Sequence, residues 1–359
     1  MEVFGRTVES GTRQQRSLLT WARRLNVERK RTAGWAGLLY IVPALVLLIL
    51  FEVWPLIFGG WISLWKWDIL PVEFIGVDNY TRILKEGFIT RDYAGRLTIG
   101  GVLHSLIVTF YYAAVTIPVA ILGGFAIAYL LFRGRKGEGM LRTIYFLPHI
   151  TASVAVTVVF AWMFDANAGV ANAALEAVGL SPQTWLADPT PLLDVLFGST
   201  PLPEWASGPS LALMVVIFYG IWASIGFNVV IYLAGLSSIS KDVLEAATID
   251  GASEWRMVRE IIWPLTSPTT YFLLITSTIG AFKVFDPVFT LTRGASVTGS
   301  EAGGPVDSTL TITVYIYRYF YERQNAVGYA SAVAILLFLI LLTFSLVQIR
   351  FSSGRVHYQ

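Results

Sequence analysis

The sequence contains no cysteine, only three histidines and little charge of either sign. Without cysteine there is no disulfide framework, thiolate metal site or thiol nucleophile, and His104, His149 and His357 are too scattered for a metal motif. Asp, Glu, Lys and Arg supply 14% of the 359 residues, against roughly 25% in ordinary soluble domains. Because 55% are hydrophobic, the composition excludes a soluble cytosolic enzyme, a disordered chain and a nucleic-acid-binding protein. The net charge of +2 is too small to indicate a polyanionic partner.

Six stretches of at least 20 residues lack Asp, Glu, Lys and Arg altogether. A transmembrane helix needs about 20 apolar residues, because the hydrocarbon core is about 30 Å thick and each residue rises about 1.5 Å. The sequence therefore predicts an all-α polytopic membrane protein with six transmembrane helices. The predicted spans lie at about residues 34–55, 103–131, 143–164, 209–236, 265–285 and 325–349.

The distribution of Lys and Arg predicts the orientation. The two terminal segments and the connections 133–142 and 237–265 together hold 17 Lys and Arg residues. The connections that alternate with them, 66–99, 165–209 and 283–323, hold nine. By the positive-inside rule, both termini are predicted to be cytoplasmic. Segment 165–209 has no Lys or Arg, five acidic residues and six prolines, which predicts an external loop rather than a seventh span. The predicted organisation is a basic cytoplasmic tail 1–33, a transmembrane domain 34–350 with external loop 165–208 and cytoplasmic loop 237–264, and a cytoplasmic tail 351–359.

The N-terminal tail carries eight Lys and Arg residues. Such a basic segment favours contact with anionic membrane lipid at the cytoplasmic surface. A solvated, disordered tail fits the same composition.

Loop 237–264 has its own helical pattern. Ser240 and Asp242 are suitable N-caps for a short helix, and Gly251 after Asp250 permits a sharp turn with positive φ. Apolar residues then recur at helical spacing up to Pro264. These features predict a helix–glycine–helix element at the inner face of the membrane.

This element carries a long spaced motif. The residues Glu245-Ala246-Ala247, followed by Gly251, Ile261 and Pro264 at the family spacing, resemble the EAA loop of binding-protein-dependent ABC importer permeases. The leucine that precedes the family proline is replaced by Trp263. The run EAATIDGA at residues 245–252 is similar to the carbohydrate branch, which includes maltose and glycerol-phosphate permeases. The alternative is an unrelated amphipathic interfacial helix.

Other stretches carry the same resemblance, which extends over roughly residues 34–350. Position 301 is Glu, whereas the family more often has a threonine near this position. Residues 187–208 look like an insertion in the external loop. The resembling segments are Tyr145-Phe146-Leu147-Pro148, residues 169–180 with Asn172, residues 303–305 with Thr309 and Tyr315, and residues 328–332.

The resemblance implies a type I ABC importer permease fold in which 237–264 is the coupling loop and its first helix is the coupling helix. It implies a bacterial or archaeal plasma or inner membrane, a second related permease in a heterodimer, two ATPase subunits and an external substrate-binding protein. No G-x-x-x-x-G-K-[ST] phosphate loop occurs in the sequence, so ATP and Mg²⁺ are expected on the partner subunits, and this chain is expected to be non-catalytic and to bind no cofactor. The residues implied to couple to the ATPase are Glu245, Ala246, Ala247, Asp250, Gly251, Ala252, Ile261 and Pro264.

Polar and aromatic residues within predicted spans are candidates for the substrate path, because intramembrane polarity is costly and usually faces a cavity. Asn228 and Tyr232 are four residues apart and share a helix face. Rings and amides of this kind suit a sugar. Each candidate has a structural alternative as an interhelical hydrogen bond, an ion pair or an interface anchor. The candidates are Trp222, Asn228, Tyr232, Lys283 and Asp286.

Three other functions are alternatives to a sugar permease. An ion-coupled secondary transporter would contain inverted repeats and buried carboxylates, neither of which is evident here. An intramembrane enzyme would need a nucleophile–base pair or a metal cluster within the spans. The third is the same machinery carrying glycerol phosphate or another small polar solute. The acidic external loop is unfavourable for attracting an anion.

Overall fold

The computed structural model describes residues 39–91, 97–134, 138–198, 206–293 and 302–352. The predicted tail 1–33, residues 353–359 of the predicted C-terminal tail, residues 199–205 of the predicted external loop, and Glu301 lie outside the described residues. The chain divides into two compact units, Met1–Trp61 and Ile62–Gln359.

The described part of the first unit is a single apolar helix, α1, which runs over Leu39–Ile62 and so ends on the first residue of the second unit. Its 24 residues rise about 36 Å, enough to cross the hydrocarbon core. The helix continues past its predicted end at about residue 55. A π-helical turn at Ile49–Val53 precedes Pro55 and accommodates the amide that proline lacks.

Four further helical segments in the second unit are long and apolar enough to span a membrane. They are α3 at Gly101–Phe132, α8 at Leu211–Ser237, the pair α12 and α13 at Ser267–Phe282 and Asp286–Thr292, and α15 at Val327–Ser352. A short helix, α2 at Asp78–Arg82, lies between α1 and α3. Together with α1, the described residues therefore contain five candidate spans, or six if a bent pair is counted as one.

That bent pair occupies the predicted third span. Instead of one straight helix over 143–164, α4 at Glu138–Ile150 and α5 at Ser153–Met163 meet at an angle of 94°. Pro148 cannot donate the backbone hydrogen bond that would continue α4. The hydroxyl and amide of Thr151 both donate to the carbonyl of Leu147, at 2.7 Å and 3.2 Å, and complete the last turn of α4 before the break.

The expectation of an all-α chain needs one correction, because two small antiparallel sheets lie between α1 and α3. Strand β1 at Trp65–Trp67 pairs with β2 at Pro71–Phe74, and β3 at Ile89–Arg91 pairs with β4 at Leu97–Ile99. Asn79 holds the first hairpin by donating to the carbonyls of Ser63 at 2.8 Å and Trp65 at 3.1 Å. The protein is therefore mostly helical.

Short helices and irregular turns make up the remaining connections. The segment after α5 contains α6 at Val170–Ala177 and α7 at Leu192–Phe197. Residues 237–264 are called the EAA loop. They contain α9 at Lys241–Ile249, α10 at Glu254–Arg256, a π-helical turn at Met257–Ile262 and the start of α11 at Trp263–Leu265. Before the last span, α14 at Ile312–Tyr317 continues as a π-helical turn at Arg318–Glu322.

Small residues let the central helices approach closely. A Cβ added at Gly124 of α3 would overlap Asn228 of α8, and a Cβ at Gly226 would overlap the carbonyl of Tyr145. Close approach through small residues is the usual basis of helix packing in membranes. Helix α3 runs from the end of the bundle that holds β3 and β4 to Arg133, beside the EAA loop. These two ends are called the distal end and the EAA-loop end.

Candidate functional site

The first half of the EAA loop is a capped helix. The Ser240 hydroxyl accepts a hydrogen bond from the Asp242 amide at 3.2 Å, which confirms the predicted N-cap. The Asp242 carboxylate lies in the first turn, where it opposes the positive end of the helix dipole. Helix α9 is therefore stabilised locally by its own sequence.

The helix ends in a Schellman turn at Gly251. The Ala252 amide donates to the Ala247 carbonyl at 3.0 Å and the Gly251 amide donates to the Thr248 carbonyl at 3.1 Å, which is the paired bonding of that motif. Gly251 has φ +76°, a left-handed conformation that strains any residue with a Cβ. The predicted positive φ is therefore confirmed, and it sets the angle between the two halves of the loop.

A concave groove of about 470 Å³ lies between the two halves of the EAA loop. Five of the eight predicted coupling residues line it: Ala246, Ala247, Asp250, Ala252 and Ile261. Val243, Arg256 and Glu260 complete its wall. Of the other three, Glu245 and Gly251 are exposed, and Pro264 is half-buried in α11.

Large apolar side chains protrude beside this groove. Ile249 is 86% exposed and Trp255 is 70% exposed, although both belong to a polar connecting loop. Exposed apolar residues grouped around a concave surface are typical of a protein interaction site.

The EAA loop is attached to the transmembrane helices in two ways. Arg133, which follows α3, forms a bidentate ion pair with Glu254, and hydrogen bonding to Glu254 raises the pKa of the Arg133 guanidinium. Leu244, Met257 and Val258 of the loop pack against a buried cluster that includes Leu131 and Leu236. The loop is therefore packed directly against the ends of α3 and α8.

A second cavity, of about 280 Å³, lies among the transmembrane helices. Hydroxyl, amide, aromatic and small aliphatic groups line it, and none of the described residues in its wall is Asp, Glu, Lys or Arg. The lining residues are Tyr112, Thr116, Ile117 and Ala120 of α3, His149 of α4, Ser224, Phe227 and Asn228 of α8, and Thr276, Ser277, Gly280 and Ala281 of α12. We call it the transmembrane cavity.

Asn228 is the one predicted path residue that lines this cavity. Its side chain is 1% exposed, and its Nδ2 has no hydrogen-bond partner among the described residues. A buried amide without a partner costs free energy and indicates a place for a ligand or water. The ring of His149 stacks on Phe227 with centroids 5.0 Å apart, which adds an aromatic wall.

The other predicted path residues lie elsewhere. Tyr232 is buried and donates to the Thr270 hydroxyl at 2.9 Å, so it links α8 to α12. Trp222 is 38% exposed and its ring lies 5.4 Å from that of Phe160. Lys283 and Asp286 are exposed at the break between α12 and α13, and no ion pair joins them.

Sequence reasoning missed most of the transmembrane cavity. Tyr112 and Thr116 are four residues apart in the second predicted span, which is the same spacing that singled out Asn228 and Tyr232. His149 directly follows the helix-breaking Pro148. Both patterns were available in the sequence.

The comparisons with known proteins agree with this architecture. The lactose transport system permease protein LacF of Rhizobium radiobacter is 29% identical over 285 residues, covering 79% of this chain and 82% of that protein. The trehalose/maltose transport system permease protein MalF of Thermococcus litoralis is 29% identical over 261 residues, covering 72% and 77%. A chain of a bacterial alginate ABC transporter, solved in complex with an alginate pentasaccharide-bound periplasmic protein, superposes with a TM-score of 0.69 at 20% identity, covering 90% of this chain and 96% of that chain.

The family assignment rests on most of the second unit. Residues 93–355 match the binding-protein-dependent transport system inner membrane component family, and this range contains the EAA loop and the transmembrane cavity. The chain belongs to this family of multi-pass membrane transport proteins, as a non-catalytic membrane subunit.

Proposed function

We propose that this chain is the permease subunit of an ATP-driven ABC importer that carries a sugar across the membrane. The observation that carries the proposal is the EAA loop, where a capped helix and a Schellman turn present a groove flanked by exposed Ile249 and Trp255. Such a surface is suited to a cleft on a separate ATPase subunit.

In this proposal, the EAA loop passes the movement of the ATPase subunits to the transmembrane helices. ATP-driven closure of two ATPase subunits moves two such loops towards each other, one on this chain and one on a related permease. Because Leu244 and Met257 pack against the ends of α3 and α8, the helices follow the loop. The transmembrane cavity then changes from facing the EAA-loop end to facing the distal end.

The chemistry of the transmembrane cavity favours a neutral sugar. Hydroxyls of Thr116, Ser224 and Ser277 and the amide of Asn228 offer hydrogen bonds, while the Phe227 ring offers a face for stacking. Its volume of about 280 Å³ is close to the lower end of the roughly 300–1,000 Å³ of small-molecule sites. The two relatives described above are named for lactose and for trehalose and maltose transport.

The second candidate substrate is glycerol phosphate. A phosphate is normally held by Arg or Lys, and neither lines the cavity. An ion-coupled transporter would need a coupling carboxylate in its site, and Asp and Glu are likewise missing from the cavity wall.

The proposed assembly contains a second, related permease in a heterodimer, two ATPase subunits that hold ATP and Mg²⁺, and an external substrate-binding protein. The EAA-loop end and both termini face the cytoplasm of a bacterium or archaeon, and the distal end faces outward. The complex lies in the plasma or inner membrane.

The test is reconstitution of the whole complex in liposomes with a panel of sugar-loaded binding proteins and one loaded with glycerol phosphate. We expect ATP-dependent uptake of at least one neutral sugar. Uptake of glycerol phosphate alone would contradict the sugar assignment. Failure of the chain to co-purify with any ATPase subunit would contradict the permease assignment.

A further inference from the structure

A third cavity, of about 320 Å³, lies at the distal end of the bundle. It is bounded by the start of α3, the segment 302–310, and α14 with its π-helical continuation. Five of the residues that line it, His104, Asp307, Arg318, Tyr319 and Arg323, are called the distal arginine site.

One wall of the distal arginine site is held by a buried ion pair. Nη1 of Arg318 lies 2.8 Å from Oδ1 of Asp307, and the Arg318 side chain is only 8% exposed. A buried guanidinium requires such a partner. Nε2 of His104 donates to the Asp307 carbonyl at 3.0 Å, which fixes the backbone that carries the carboxylate.

Arg323 differs from Arg318 in its surroundings. It is exposed, and its guanidinium carbon lies 5.5 Å from the centroid of the Tyr319 ring. Among the described residues, no carboxylate lies within ion-pair distance of it. Among the described residues that line the cavity there are two guanidinium groups, Arg318 and Arg323, and one carboxylate, Asp307. An arginine fork beside an aromatic ring matches the planar shape of a carboxylate ligand.

Irregular backbone surrounds the site on both sides. Val306 and Asp307 have φ of +52° and +59°, left-handed conformations that are strained for residues with a Cβ. Arg318–Glu322 is π-helical, a form that is frequent at functional sites. Both features place residues in the wall of the same cavity.

We propose that the distal arginine site binds a carboxylate side chain of the external substrate-binding protein, with Arg323 supplying the charge and Tyr319 the aromatic wall. This inference rests on the proposed function, which places a binding protein at the distal end. A carboxylate on the sugar itself is the other source of this chemistry. It is disfavoured because neither Arg nor Lys is found among the described residues that line the transmembrane cavity, so that a charged sugar would cross the membrane without a permanently cationic partner there.

The test compares Arg323→Gln with the wild type in the reconstituted complex. The measured quantity is the concentration of sugar-loaded binding protein that gives half-maximal stimulation of ATP hydrolysis. We expect Arg323→Gln to raise it about three- to tenfold at low ionic strength, as is typical of a lost interfacial charge pair. The increase should shrink as salt screens the interaction, and Arg323→Lys should retain part of the affinity.

Arg293→Gln is the matched control. Arg293 is also exposed at the distal end and lies 4.8 Å from the centroid of an aromatic ring, that of Phe289, but it does not line the cavity. We expect it to leave the half-maximal concentration unchanged.

The outcomes separate the two claims. If the binding protein stimulates the Arg323→Gln complex as well as it stimulates the wild-type complex, this inference is overturned and the proposed function stands. A wild-type complex that no binding protein stimulates contradicts the proposed function instead. An effect of Arg323→Gln that appears only when the delivered sugar carries a carboxylate assigns the site to the sugar and overturns the docking role.

Discussion

Arg133 and Glu254 form a bidentate ion pair that joins the end of α3 to α10, with Nη1–Oε2 at 3.0 Å and Nη2–Oε1 at 2.5 Å. Both side chains are about half exposed or more, and exposed ion pairs add little to stability. Its geometry nevertheless ties the EAA loop to a transmembrane helix, so its expected effect is on coupling.

We expect Arg133→Glu and Glu254→Arg, each alone, to lower the number of sugar molecules transported per ATP hydrolysed. The two substitutions together should restore much of the ratio by re-forming the pair with reversed charges. The ratio is measured from uptake and phosphate release in the same liposomes. Glu86→Gln, which breaks the exposed Arg82–Glu86 pair at the distal end, should have no effect. Normal ratios in both single variants would exclude a coupling role for the pair.

Gly251→Asp is expected to uncouple ATP hydrolysis from transport. At φ +76° a side chain costs roughly 1–2 kcal/mol, and no atom lies within 4 Å of the added Cβ, so the strain falls on the turn itself. The turn should open and change the angle of α9. Uptake and ATP hydrolysis are measured together, with Gly139→Ala in α4 as a control at a helical glycine that is also unobstructed. A Gly251→Asp complex that assembles and transports normally would show that the turn geometry is dispensable.

Asn228→Ala is expected to lower sugar uptake about tenfold, the equivalent of one lost hydrogen bond of roughly 1.4 kcal/mol. The midpoint of thermal unfolding should change little, since the Asn228 amide has no partner among the described residues. Tyr232→Phe is the contrasting variant. It removes the hydrogen bond to Thr270 and should lower the midpoint while sparing the uptake of the folded fraction. The reverse pattern would move the substrate path from Asn228 to Tyr232.

Ile249→Glu is expected to weaken co-purification of the ATPase subunits severalfold, because it places a charge on a surface that another protein is proposed to cover. Ile69→Glu is a matched control, since Ile69 is 88% exposed in the hairpin at the distal end. The yield of ATPase per permease is measured on washed resin. Equal yields for the two variants would remove Ile249 from the interface.

Local features of the EAA loop were predictable from the sequence. Ser240 caps α9 and Gly251 takes a positive φ because both depend on hydrogen bonds within a few residues. The span containing Asn228 and Tyr232 was also predictable, because it lies in a stretch without Asp, Glu, Lys or Arg that is long enough to cross the membrane.

Features that depend on distant neighbours were not predictable. Asn228 lines a cavity while Tyr232 reaches Thr270, and the difference is set by which helices pack against each residue. The small sheets depend on strand pairing, and the 94° bend lies between α4 and α5, beyond Pro148. His149 lies just before that bend and lines the transmembrane cavity.

The central claim is that residues 237–264 contact an ATPase subunit, and the absence of cysteine from the chain permits a direct test. A single cysteine introduced as Glu245→Cys, on the exposed face of α9, is joined by a thiol–amine cross-linker to its neighbours in the assembled complex. Glu73→Cys, exposed in the distal hairpin, is the matched control. We predict cross-linking to the ATPase subunit from Glu245→Cys and none from Glu73→Cys. Cross-linking from Glu73→Cys alone would contradict both the coupling site and the orientation of the chain.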